Sequence, residues 1–140
     1  MDDLNPKEVV LAFLAQVRSS KNVKAAHHFL ADPHLAHQVI SGGQYAITRT
    51  PADYAQHVKA MQTTFGNFCL TVEEVLAEGD KVYVRWLQQG VHAAELWSIP
   101  PTFQPLCERS SAVYRVEQGK IVEYWIQVEA DGIRRQLENC

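Results

Sequence analysis

The sequence has no apolar run approaching the roughly 20 residues that a membrane-spanning helix requires. It also has no excess of positive charge. Thirteen Lys and Arg stand against sixteen Asp and Glu, for a net charge of −3. A nucleic-acid binder needs a basic face to neutralise phosphates, so nucleic acid and membrane are both set aside as partners. The start, Met1-Asp2-Asp3-Leu4, lacks the cationic residues and apolar stretch of a secretory signal, which points to a cytoplasmic protein. Cysteine is scarce. Cys69, Cys107 and Cys140 form no close pair, which excludes a disulfide framework and a cysteine-based zinc site. Cys69 and Cys107 stand in strand-like text and are expected to be buried, while the terminal Cys140 is expected to fray. The six histidines show no metal-ligand spacing on one element with an acid partner, and the adjacent His27 and His28 point about 100° apart on a helix. No metal is therefore expected. Gly42-Gly43 lacks the spacing of a dinucleotide loop, and Ser110-Ser111 lacks the surroundings of a nucleophile elbow.

What the sequence does have is enough apolar text for one packed domain over residues 1–140: 46% of its residues are hydrophobic. Asn5-Pro6 reads as a cap and first turn, and Val9, Val10, Phe13, Leu14 and Val17 recur at helical spacing. A second helix is expected from about Asn22 to Asp32-Pro33, followed by irregular chain to Thr50. Thr50-Pro51-Ala52-Asp53 starts a third helix, with Tyr54, Val58, Met61 and Phe65 on its apolar face and Gly66-Asn67 at its end. From Phe68 the period becomes two. Four strands follow, with a slip at Glu73-Glu74 that suits a β-bulge and tight turns at Gly79-Asp80 and Gln118-Gly119. A short helix ending near Leu137 closes the chain. Helices first and antiparallel strands afterwards make an α+β order.

Several stretches together resemble the SnoaL-like polyketide cyclases, in the superfamily named for nuclear transport factor 2. They are Gly79-Asp80-Lys81-Val82, Gly90-Val91-His92, Ile99-Pro100-Pro101-Thr102, Tyr114-Arg115-Val116, Gly119-Lys120-Ile121-Val122-Glu123 and Gly132-Ile133-Arg134-Arg135-Gln136-Leu137. The resemblance implies a curved antiparallel sheet wrapped by three N-terminal helices into a cone-shaped barrel with an apolar pocket, usually as a homodimer. It also implies a cofactor-independent cyclase or isomerase acting on an apolar, polyketide-like small molecule. The family's acid on the last strand falls at Ile126, and its partner histidine falls at Ala112. Neither residue can move a proton.

Substitute groups follow from the same comparison. Glu129 supplies a carboxylate beyond Trp125, and His92 occupies a glycine-x-histidine position; both are candidate catalytic residues. By strand alternation Glu129 points away from the face of Ile126 unless the strand has ended or bulged. Candidate ligand contacts are His37, Trp86, Gln88, Ala112, Tyr114, Tyr124 and Ile126. An apolar face of Tyr83, Leu87, Val91 and Val113 is expected to pair two copies. Two other functions fit the same pocket: a non-catalytic carrier of a hydrophobic ligand, and a dimeric protein-interaction domain.

Overall fold

A computed structural model describes residues 4–138. Helix α1 (Pro6–Phe13) begins where its cap residues require. The Glu8 amide donates to Asn5 Oδ1 at 2.8 Å, and the Asn5 amide donates to Glu8 Oε1 at 3.0 Å. Beyond Phe13 the chain keeps turning but widens to π spacing over Leu14–Arg18, with the Ser19 amide donating to the Leu14 carbonyl at 3.0 Å. Val17, Arg18 and Ser19 are consecutive and all buried. An arginine is thereby carried into the interior.

The next segment departs from expectation. Only one turn at Val23–Ala25 and a four-residue helix α2 (Ala26–Phe29) form, and the chain then extends into β1 (Leu30–Ile40). It reverses at Ser41-Gly42 into β2 (Gly43–Arg49), so residues 33–50 form mainly a hairpin rather than irregular chain. The physical reason is non-local. β1 runs parallel to β6 (Lys120–Val128), with Ala36 opposite Tyr124 and Gln38 opposite Ile126. A partner so distant in sequence leaves little trace in local spacing.

Helix α3 (Pro51–Phe65) is capped by Thr50, whose hydroxyl accepts from the Asp53 amide at 3.1 Å. It ends at Gly66, where φ of +67° suits glycine. The remaining strands are β3 (Cys69–Glu78), β4 (Lys81–Val91) and β5 (Pro105–Glu117), and α4 (Ala130–Glu138) follows β6. The sheet order is β2-β1-β6-β5-β4-β3, antiparallel except for β1 with β6. Register shifts between Val72 and Glu74, where the change of period marks a bulge. The sheet is curved and unclosed, with β2 and β3 as its edges.

The α1 stripe meets Val82, Val84 and Trp86 of β4 and Ala112, Tyr114 and Val116 of β5 in one core. Burying each larger apolar side chain contributes about 1.5–3 kcal/mol, so this contact anchors the helices to the sheet. Phe13 is wholly buried and touches both Tyr54 and Tyr114, with ring centroids 5.3 and 5.7 Å away. At Gly90, a Cβ would fall 2.2 Å from the Phe65 carbonyl oxygen, so only glycine lets the end of α3 lie directly on β4. A second core of Phe65, Phe68, Leu106, Ile133 and Leu137 holds α4. Cys69, expected to be buried, is exposed at the start of β3, and Cys107 is half-buried. Cys140 lies outside the described residues. No helix among the described residues is long and apolar enough to cross a membrane.

Candidate active site

Between the inner face of the sheet, the π-spaced turn that ends at Arg18, and helix α3 lies a cavity of about 210 Å³. Its wall includes Arg18, Tyr54, His57, Glu108, Tyr114 and Tyr124, together with Gln38, Ile126 and Val128. An outer chamber of about 260 Å³ shares His57, Met61, Phe65, Glu108 and Val128 with it and adds Leu96, Trp97 and Ile133. The two spaces thus share walls of α3 and β5, with apolar side chains predominating and a few polar groups among them. That composition is usual for small-molecule pockets.

Each polar group arrives by a local rule. Glu108 falls on the same side of β5 as Leu106, Ser110, Ala112 and Tyr114, because alternate residues share a face. Arg18 is four residues after Leu14, and the two bound the π-spaced turn that continues the buried side of α1. His57 sits three residues after Tyr54 and four before Met61, at the margin of the α3 stripe.

The cavity's electrostatics are unusual. Arg18 is 3% exposed, and its Nη1 donates to Gln88 Oε1 at 2.7 Å. Its guanidinium lies 5.2 Å from the Trp86 ring and 5.9 Å from the Phe68 ring. Burial pushes the Glu108 carboxyl above the ordinary range, while the charge of Arg18 and the Ser110 hydroxyl, 3.4 Å from Oε1, pull it partly back. His57, exposed along one edge, is pulled down to about 4, first by desolvation of its packed side and then by the positive charges of Arg49 and Arg18, so it is neutral at pH 7. The phenols of Tyr54, Tyr114 and Tyr124 are all raised, chiefly by burial, and stay protonated. The cavity therefore holds one carboxyl that resists ionisation, one buried cation, one neutral imidazole and three phenolic hydroxyls.

Of the residues singled out in the sequence, Tyr114, Tyr124 and Ile126 line the inner cavity. Ala112, Trp86 and Gln88 lie buried on the inner face of the sheet, with Ala112 directly opposite Ile126 and with Trp86 and Gln88 behind Arg18. The other three lie elsewhere. His37 is on the outer face, stacked on Trp125 at 4.9 Å, with Nε2 2.6 Å from Glu123 Oε2, because β1 turns odd-numbered residues outward there. Glu129, one residue past β6, is exposed in an outer groove with Arg85, Arg109 and Ser111. Strand alternation had already placed it opposite to Ile126. His92 is wholly buried, and its Nδ1 accepts from the Thr102 amide at 3.2 Å. Its backbone bonds Phe103 and Gln104, so it clasps the base of the 93–104 segment that brings Leu96 and Trp97 to the outer chamber.

Arg18, Tyr54, His57 and Glu108 were missed as site residues, although each carried a signal. Arg18 is a charge on an apolar stripe, and Glu108 continues the alternation of Ser110, Ala112 and Tyr114 by one step. Among the described residues, no three His, Cys, Asp or Glu come together as metal ligands.

Comparison with known proteins follows the same outline. The family model described as SnoaL-like polyketide cyclase matches residues 8–137. A candidate polyketide cyclase from Acidithiobacillus ferrooxidans superposes with a TM-score of 0.83 at 20% identity, covering 99% of each chain. IdmH, a candidate polyketide cyclase from Streptomyces antibioticus, gives 0.81 at 21% identity, over 96% of this chain and 99% of that one. AclR, a candidate hydroxylase from Streptomyces galilaeus, gives 0.77 at 20% identity over 96% of each. No curated protein sequence matches the chain. At these identities the structures establish the fold alone, and their names already differ in chemistry.

Proposed function

This chain belongs to the SnoaL-like polyketide cyclase family, and from that premise we propose that it is a cofactor-independent enzyme moving a proton within a compact, mostly apolar small molecule. Ring closure or isomerisation beside a carbonyl is the reaction class. The observation that carries this reading is the Glu108 carboxyl, set in the wall of the cavity and raised by burial. A carboxyl whose ionisation is disfavoured is a stronger base once ionised and a ready acid when protonated. In the proposed cycle, ionised Glu108 removes a proton from the carbon beside a ligand carbonyl. The resulting enolate carbon bonds to a second carbonyl carbon of the same molecule, and the new alkoxide takes the proton back from Glu108. No redox partner is required. Tyr54, Tyr114 and Tyr124 remain protonated and supply hydroxyl donors to ligand oxygens.

A second reading has its own support. Ala112 and Ile126, opposite one another on β5 and β6, provide no ionisable group where the resemblance puts the family's pair. The chain would then hold a hydrophobic ligand without transforming it. Proton exchange separates the two readings. With benzoylacetone as a model carbon acid in D₂O, wild type should accelerate deuterium uptake, and Glu108→Gln should lose about 100-fold or more of that acceleration. Binding without any acceleration would favour the carrier. We further propose that two copies pair through the outer sheet face, which carries Tyr83, Leu87, Val91 and Val113. Sedimentation at micromolar protein should give a dimer, and a monomer would refute this.

A further inference from the structure

Four arginines on the surface pair with carboxylates, and the buried one does not. Arg85 and Arg109 both reach Glu73, Arg115 reaches Glu117 and Glu123, and Arg135 reaches Asp131. All four are partly or largely exposed, where an ion pair is worth little. Arg18, 3% exposed, has no carboxylate within 4.0 Å among the described residues. A buried charge without a counter-charge is costly, and a guanidinium keeps its charge and offers five donors. One neutral acceptor, Gln88 Oε1, meets one of them.

The groups beside it add donors rather than acceptors. Gln88 gives its oxygen to Arg18, which leaves its amide nitrogen as a buried donor with no partner. The Trp86 indole N–H under the guanidinium is likewise buried and unpartnered. The acid facing the same space, Glu108, stands outside ion-pair distance of Arg18, and burial favours its neutral form. The interior therefore gathers positive charge and N–H donors, and no carboxylate lies within 4.0 Å of Arg18 among the described residues to meet them.

We infer that Arg18 is an anion-receiving group of the cavity, and that the ligand presents it an oxygen bearing full or developing negative charge, on an otherwise apolar frame. The inference rests on the reading of this cavity as a ligand site. Two sources share this chemistry: a carboxylate already present in the ligand, and an enolate oxygen formed as Glu108 takes the adjacent proton. In the second case Arg18 would stabilise the charge that develops during reaction. Tyr54, Tyr114 and Phe65 would flank the apolar frame.

Calorimetry with 1-naphthoate and its neutral isostere 1-naphthamide tests the inference, using the full chain, wild type and Arg18→Met. Wild type should bind naphthoate at least tenfold more tightly than naphthamide, and R18M should lose that preference while keeping its naphthamide affinity. Bound benzoylacetone distinguishes the sources: a rise in enolate absorbance in wild type that is absent in R18M assigns the developing enolate, and naphthoate preference alone assigns a resident carboxylate. Equal binding of naphthoate and naphthamide together with an unshifted benzoylacetone spectrum overturns the inference and leaves the cavity reading standing. Failure of all three probes to bind at millimolar concentration overturns both. Should R18M not fold, crystals of wild type soaked in 4-bromo-1-naphthoate decide: the carboxylate within hydrogen-bond distance of Arg18 supports the inference, and any other site contradicts it.

Discussion

The two faces of the sheet treat charge in opposite ways. On the outer face, carboxylates and arginines sit in pairs. Glu73 accepts two bonds from Arg109 at 2.9 Å each, and its carboxyl is held below the ordinary range, first by that arginine and then by Arg85. Burial would raise Glu123, but the bonds from His37 and Arg115 outweigh it and lower the group. On the inner face, Glu108 is raised, and Arg18 bonds the neutral Gln88 with no carboxylate within 4.0 Å among the described residues. Water screens the outer pairs, so they organise the surface at little energetic consequence. The inner groups lie where screening is weak, so their placement costs stability and gives them chemical potency.

The largest effect is expected where the inner charge is seated. Trp86 is wholly buried beneath Arg18. Trp86→Ala should cost about 3–5 kcal/mol in denaturant unfolding, through the cavity left and the loss of the guanidinium's aromatic support. A cost below about 1 kcal/mol would mean that the inner face is far softer than its packing shows.

A smaller effect, of opposite sign, belongs to Glu108. The folded chain holds the Glu108 proton more tightly than the unfolded chain does, so ionising it opposes folding. That penalty is absent below the ordinary glutamate range of about 4.3 and grows as pH rises through the raised folded value. Glu108→Gln should therefore raise Tm at pH 7 by roughly 2–4 °C, and the gain should vanish near pH 4. His57 acts in the other direction. Its folded value of about 4 lies below that of an unfolded histidine, so stability rises with pH across the interval between them. Its wet edge at the chamber mouth keeps that contribution small, and Glu108→Gln compared with wild type at each pH cancels it. The smallest effect is on the outside, where Glu73→Gln should leave Tm within error of wild type. A Tm change as large as that of Glu108→Gln would remove the contrast between the faces.

How legible these features were depended on how local their causes are. Asn5-Pro6 and Thr50-Pro51-Asp53 announce helices through caps that involve residues three apart, and both caps form as read. The turns at Gly79-Asp80 and Gln118-Gly119, and the bulge at Glu73, are equally local. The hairpin of β1 and β2 was not legible, because His34, Ala36 and Gln38 face inward only by virtue of a parallel partner near residue 124. In the site, Tyr114, Tyr124 and Ile126 were reached by alternation on β5 and β6. Arg18 and His57 come from helices whose rotation against the sheet is a tertiary fact. Glu108 was within reach of the alternation rule, two residues before Ser110 on the same face of β5.

The contrast between the faces is most directly measured by ¹³C NMR titration of side-chain carboxyls in glutamate-labelled protein, with Glu108, Glu73 and Glu123 assigned by single Gln substitutions. The Glu108 midpoint should lie above the ordinary glutamate value, with Glu73 and Glu123 below it. A Glu108 midpoint at or below those of Glu73 and Glu123 would erase the contrast between the faces and leave the cavity without its proton-transfer group.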